Sequence, residues 1–364
     1  MRARLRIAAA VALPVLLALG VAAAAAGSGT ISGQVTSHTA GAAPIGATDV
    51  VLHAFAKESG DEIGTGVASR TDASGRFAFT GVDTGTDRGY VVTASHAGVT
   101  YSSELVIFQD GTTTATADVA VYETTDAADW IWLRQQHLIV TPDVAARTLH
   151  VVEIAIVENG GDRTFVGKDA GSGVETVRLP LPAQAYDVDV SAPLAHGSAM
   201  RPGEIVYSGA LVPGETQLSL GYALPYGGSA YTLGKLLPLD TDAIDVLVED
   251  VGLSARSAQL SDPTTVAAGG KKYVRLSGRG IAAGTLVSIA LAPPEAALSP
   301  AAIARAAVPA AGALALVGVA GYLVVPRLRR RRGGRPRATR GARRPRTDPE
   351  GTDGEDEIVP EGEA

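Results

Sequence analysis

The chain has 364 residues, 46% of them hydrophobic, and no cysteine. That length and apolar share suffice for two or three cored domains, and the missing thiols exclude disulfides, thiolate metal sites, cysteine nucleophiles and lipidation at cysteine. The net charge of −7 conceals distinct segments: residues 27–305 carry 17 Lys and Arg against 30 Asp and Glu, residues 326–346 carry 11 Arg and no acid, and residues 347–364 carry 8 acids and no base. An acidic central part repels nucleic acid, so no nucleic-acid partner is expected.

Residues 1–26 begin with Arg2, Arg4 and Arg6, continue as an apolar run from Ile7 and end in Ala24-Ala25-Ala26. A basic start, an apolar middle and small residues offering A-x-A cleavage choices make up a secretory signal peptide. The run is nearly long enough to stay as an uncleaved anchor. In either case the arginines remain inside and the following chain goes out.

Residues 29–124 hold seven short apolar stretches separated by Gly, Asp, Ser, Thr and Pro: Ile31 to Val35, Val50 to Phe55, Gly66 to Arg70, Phe77 to Phe79, Tyr90 to Ala94, Val99 to Val106 and Ala117 to Tyr122. This spacing predicts a β-sandwich. The sharpest local signal is Thr71-Asp72-Ala73-Ser74-Gly75-Arg76-Phe77-Ala78-Phe79. Its Asp starts a tight turn, its Gly leaves the turn at positive φ, and Phe-x-Phe sends both rings to one face.

These residues resemble the carboxypeptidase regulatory-like (transthyretin-like) family. The resemblance rests on Gly33-Gln34-Val35, on Pro44, Gly46, Ala47, Val50 and Leu52, on Thr71, Asp72, Gly75 and Phe77, and on Tyr90, Val92 and Ala94. It covers about a quarter of the chain and implies a β-sandwich of a kind that usually serves exported proteins as a non-catalytic spacer or binding domain.

Residues 125–295 read as a second, larger antiparallel sandwich. Trp130-Ile131-Trp132 opens it, with both rings expected on one face and packed where the modules meet. Thr148 to Glu158 alternates cleanly, and the Asn159-Gly160 pair signals a hairpin. Further strands are expected at Val174–Leu181, Ala185–Val190, Glu204–Tyr207, Gln217–Leu224, Ala230–Leu237, Ala243–Val248, Lys272–Leu276 and Thr285–Leu291. Val157 to Asn159, Asp162 to Thr164 and Leu179-Pro180-Leu181-Pro182 together resemble surface β-domains of exported microbial proteins, some of which sit beside cytochrome c maturation functions.

Residues 296–305 follow as a stalk. Ala306 to Val325 then runs twenty residues without a charge, about 30 Å of helix at roughly 1.5 Å per residue, which matches the hydrocarbon core of a bilayer. Arg327 and Arg329 to Arg332 come directly after it and hold the C-terminus in the cytoplasm. Residues 326–364 are too polar to bury surface and are expected to be disordered.

Few residues fall into patterns that carry chemistry. His150 and Glu153 have the His-x-x-Glu spacing of a zinc peptidase, but residues three apart in a strand point to opposite faces. Asp240, Asp242 and Asp245 suggest a calcium loop, yet the sixth position is Asp245 instead of Gly and the twelfth is Val251 instead of Glu. No nucleophile elbow, phosphate-cradling loop or dinucleotide fingerprint is present. The expectation is therefore an all-β protein of two consecutive antiparallel β-sandwich domains, one C-terminal transmembrane helix and a disordered tail, with no catalytic, cofactor-binding or metal residues. Its partners would be the lipid bilayer, through residues 306–325, and an extracellular protein or glycan. Its role would be display of β-sandwich domains for binding or envelope structure. The alternative is an accessory factor of an extracytoplasmic membrane assembly, such as cytochrome c maturation or export.

Overall fold

A computed structural model describes residues 27–293 except 170 and 172. The expected signal peptide, stalk, membrane span and tail lie outside the described residues. More than half of those described are in strands, helix amounts to a single turn, and no helix among them is long and apolar enough to cross a membrane.

Nine strands come first: β1 (Ser28–Ser37), β2 (Asp49–Ala56), β3 (Val67–Arg70), β4 (Arg76–Asp83), β5 (Arg88–His96), β6 (Val99–Ser102), β7 (Thr114–Thr116), β8 (Val119–Val121) and β9 (Thr124–Thr125). One sheet has the order β4-β1-β7 with β8 also on β1, and a second has the order β3-β2-β5-β6. They enclose a single core. β1 contributes Ile31 and Val35, β2 Val50 and Leu52, β4 Phe77 and Phe79, and β5 Tyr90, Val92 and Ala94. The alternation that defines each strand thus delivers one face of every strand to the same layer. Phe77 and Phe79 meet edge to face at 5.7 Å. The turn feeding them is built as expected: Asp72 Oδ1 accepts from Ser74 N at 2.8 Å, Ser74 Oγ at 2.7 Å and Arg76 N at 2.9 Å. Gly75 leaves it at φ +80°, a region a β-carbon would oppose.

The expected strand from Val99 to Val106 is cut at Ser102. The Ser103 side chain accepts from Val92 N at 3.0 Å, replacing a ladder bond, and Val106 meets Tyr90 only as an isolated bridge.

The second part comprises β10 (Ile131–Asp143), β11 (Thr148–Asn159), β12 (Thr164–Phe165), β13 (Lys168–Asp169), β14 (Val174–Glu175), β15 (Val177–Pro180), β16 (Tyr186–Val190), the single turn α1 (Leu194–Gly197), β17 (Ser198–Arg201), β18 (Glu204–Tyr207), β19 (Gly214–Pro225), β20 (Tyr231–Leu236), β21 (Thr241–Glu249), β22 (Ser254–Arg256), β23 (Thr264–Ala268), β24 (Lys271–Ile281) and β25 (Leu286–Ala292). A seven-stranded sheet, β16-β19-β11-β10-β21-β24-β23, faces two three-stranded sheets, β15-β18-β17 and β20-β25-β22. Residues of all three share one core, among them Val151 and Leu218, Leu179 and Ile205, and Leu233 and Ile289.

One expectation is corrected. Neither sandwich is purely antiparallel: β1 pairs β7 and β8 in parallel, and β10 pairs β21 in parallel. Antiparallel neighbours can be joined by a tight hairpin, whereas these partners arrive after the chain has crossed through the opposing sheet, which reverses their direction. The junction at residues 124 and 125 is itself strand. It forms β9, which pairs β12 in parallel. Thr39 Oγ1 donates to Asp162 O at 2.8 Å and accepts from Glu123 N at 2.9 Å, and Asp162 Oδ2 accepts from Ala40 N at 3.0 Å. The two sandwiches meet at a hydrogen-bonded seam.

Candidate functional site

Four strands of the second sandwich each place one polar side chain where the pleat demands an apolar one. In β11, Leu149, Val151, Ala155 and Val157 face the core, and Glu153 occupies the middle of that file, 0% exposed. In β20, Lys235 follows Leu233 with the same orientation and is 1% exposed. Tyr222 lies between Leu220 and Leu224 of β19, and Gln136 comes before Leu138 of β10.

The four converge. Lys235 Nζ is 2.5 Å from Glu153 Oε2, and the Tyr222 hydroxyl donates to Glu153 Oε1 at 2.7 Å. Gln136 Nε2 reaches Oε2 at 3.4 Å, and Lys235 Nζ donates to Pro180 O at 3.0 Å. Burial, then the adjacent Glu153, push the Tyr222 phenol far above its ordinary value, so it stays a donor. An isolated buried charge costs several kcal/mol; here each charge has an opposite partner and at least one further hydrogen bond.

Above this cluster lies an open groove of about 520 Å³, lined by Pro180, Pro182, Tyr231, Thr232, Gly234 and Leu286 among others. It separates two sheet edges, since β15 and β20 are both terminal strands. Leu181 N donates to Gly203 O at 2.8 Å. By the alternation of an antiparallel ladder, Pro180 therefore turns its N and O away from β18, toward the free edge. Its carbonyl is capped by Lys235, and as a proline it has no N–H to offer.

Sequence reasoning singled out other residues, and the structure separates them. Glu153 faces the core, while His150, half-buried, lies on the opposite face of β11. Asp240 accepts from Ala283 N at 2.9 Å, Asp242 from Trp132 Nε1 at 3.1 Å, and Asp245 pairs with Arg275 at 2.7 Å. Among the described residues no three His, Asp or Glu gather as metal ligands would.

The tryptophans do not pack as one face between modules. Trp130 lies in the turn before β10 and is 63% exposed. The Trp132 ring rests on Gly160, so both brace the turn that carries Asp162 to the seam.

Sequence reasoning missed Lys235, Tyr222 and Gln136. The available signal was the parity of two charges, an acid and a base, at core-facing positions of otherwise apolar strands.

These features define an all-β, sandwich-like protein with a charged cluster sealed in its larger core. No protein-family model matches the chain, and no curated protein is similar to it. Among solved structures, an M1 zinc metallopeptidase from Deinococcus radiodurans aligns at 13% identity over 45% of this chain and 43% of that one, with a TM-score of 0.28. A likeness so slight carries no argument about function.

Proposed function

We propose that the chain is a non-catalytic, membrane-anchored surface protein that presents its β-sandwich domains outside the cell for protein or glycan binding or for envelope structure. The observation that carries this reading is the uncharged run Ala306 to Val325 followed directly by Arg327 and Arg329 to Arg332. Such a pair inserts in the bilayer and fixes orientation, arginines inside. The first sandwich is read as a carboxypeptidase regulatory-like module, supported by the Asp72 turn, the positive φ of Gly75 and the buried Phe77 that follow the family pattern.

Protease added to intact cells tests the orientation. Loss of the sandwiches with retention of a fragment bearing residues 326–364 is expected. Sandwiches that survive until the cells are permeabilised would overturn the reading. Cross-linking on intact cells then tests display for binding, with a recurrent protein or glycan adduct as the expected result.

A further inference from the structure

We propose that Lys235 and Glu153 condense to an intramolecular amide, a covalent cross-link between β20 and β11. The two groups are an amine and a carboxyl in direct contact at 2.5 Å, 1% and 0% exposed, on strands that belong to opposing sheets. Nothing else is required for the reaction, because an ammonium and a carboxylate together contain the atoms of one amide and one water.

One proton passes from Nζ to Oε2 across their contact, leaving an uncharged amine beside an uncharged acid. The Nζ lone pair then bonds to Glu153 Cδ, and the π electrons move onto Oε1. There the Tyr222 hydroxyl, already donating at 2.7 Å, stabilises the developing negative charge. Oε2 takes a second proton from Nζ and departs as water when the carbonyl re-forms. One N–H remains on the new amide, and Pro180 O, now 3.0 Å from Nζ, is placed to accept it. Proximity removes the entropic barrier that makes amide formation slow between free groups, and exclusion of bulk water disfavours the reverse hydrolysis.

The rest of the chain gives such a bond a purpose. An exported protein with no cysteine cannot staple its sheets with disulfides. This cross-link would tie β11 of the large sheet covalently to β20 of an opposing sheet.

Mass spectrometry of the full chain purified from membranes, after its N-terminus is sequenced, is the test. The expected mass is lower than the sequence requires by one water. Trypsin should fail to cut after Lys235, and the peptide Thr148–Arg163 should remain joined to the one containing Lys235. Water lost instead from an Asp–Gly turn would leave cleavage after Lys235 intact and would count against the proposal. Lys235→Arg keeps a cation in place and should restore the full mass; a deficit that persists in it overturns the assignment. Tyr222→Phe should slow bond formation by about a hundredfold, the usual effect of losing one such donor. Folded, aged wild-type protein of full mass, cleaved normally after Lys235, sinks the idea.

Discussion

The two sandwiches solve the same problem differently. The first closes a core of apolar and aromatic side chains, with its hydroxyls at the margins, as where Tyr90 donates to Asp83 O at 2.7 Å. The second, roughly twice as rich in strands, admits a carboxylate, an ammonium, a phenol and an amide to its middle. Hydrophobic burial tolerates some slack in how sheets register, whereas a buried charge tolerates almost none, because its partner must come to one place. The larger sandwich has three sheets to align, and its polar cluster draws on two of them, with Pro180 of the third held by Lys235.

Changing Lys235 should therefore have the largest effect. Lys235→Met leaves the buried Glu153 carboxylate without its counter-charge and should cost about 3–5 kcal/mol in denaturant unfolding. Adding Glu153→Leu sharpens the point. If only an ion pair had been lost, stability returns to near the wild-type value. If the amide exists, the double variant stays lower by about 4 kcal/mol, the loop-closure entropy of the long segment between the two positions. In the first sandwich, Phe79→Ala should cost about 3–4 kcal/mol through an unfilled cavity, with no rescue available from any second polar change.

Thr39→Val probes the seam between them. It strands the Asp162 carbonyl and the Glu123 N–H, each a loss of about 1–3 kcal/mol if no water replaces the hydroxyl. Calorimetry should then resolve two unfolding transitions where the wild type shows one. The smallest effect is expected at the exposed turn. Hydrogen bonds from the Ser74 side chain and the Arg76 backbone hold the Asp72 carboxyl below its ordinary value. Its contribution is thus present above the unfolded-state value and is lost as pH falls through the lower folded one. The difference in unfolding midpoint between wild type and Asp72→Ala should shrink as the solution is acidified.

Much of this fold was legible in the chain. β2, β4, β5 and β11 alternate cleanly, and the Asp72 turn carries its own chemistry. β10 was legible only at its tryptophan end, because Arg134, Gln135, Gln136 and His137 interrupt the apolar file while a bulge between Leu133 and Gln135 shifts its phase. β17, β22 and β23 are short, of small or polar residues, and held mainly by a neighbour's ladder. The charged cluster was half visible: the parity of Glu153 and Lys235 can be read from their own strands. That they face each other depends on how three sheets stack, which no local pattern encodes.

Pro180 has a consequence for how copies of this chain meet at high concentration. Neighbouring chains at high local density tend to extend one another's sheets, strand beside strand, wherever an edge offers alternating donors and acceptors. At Pro180, one of the outward positions of β15, the donor is missing and the acceptor is already occupied by Lys235. A strand adding to that edge finds neither donor nor free acceptor at Pro180, so a continuous ladder cannot run through that position.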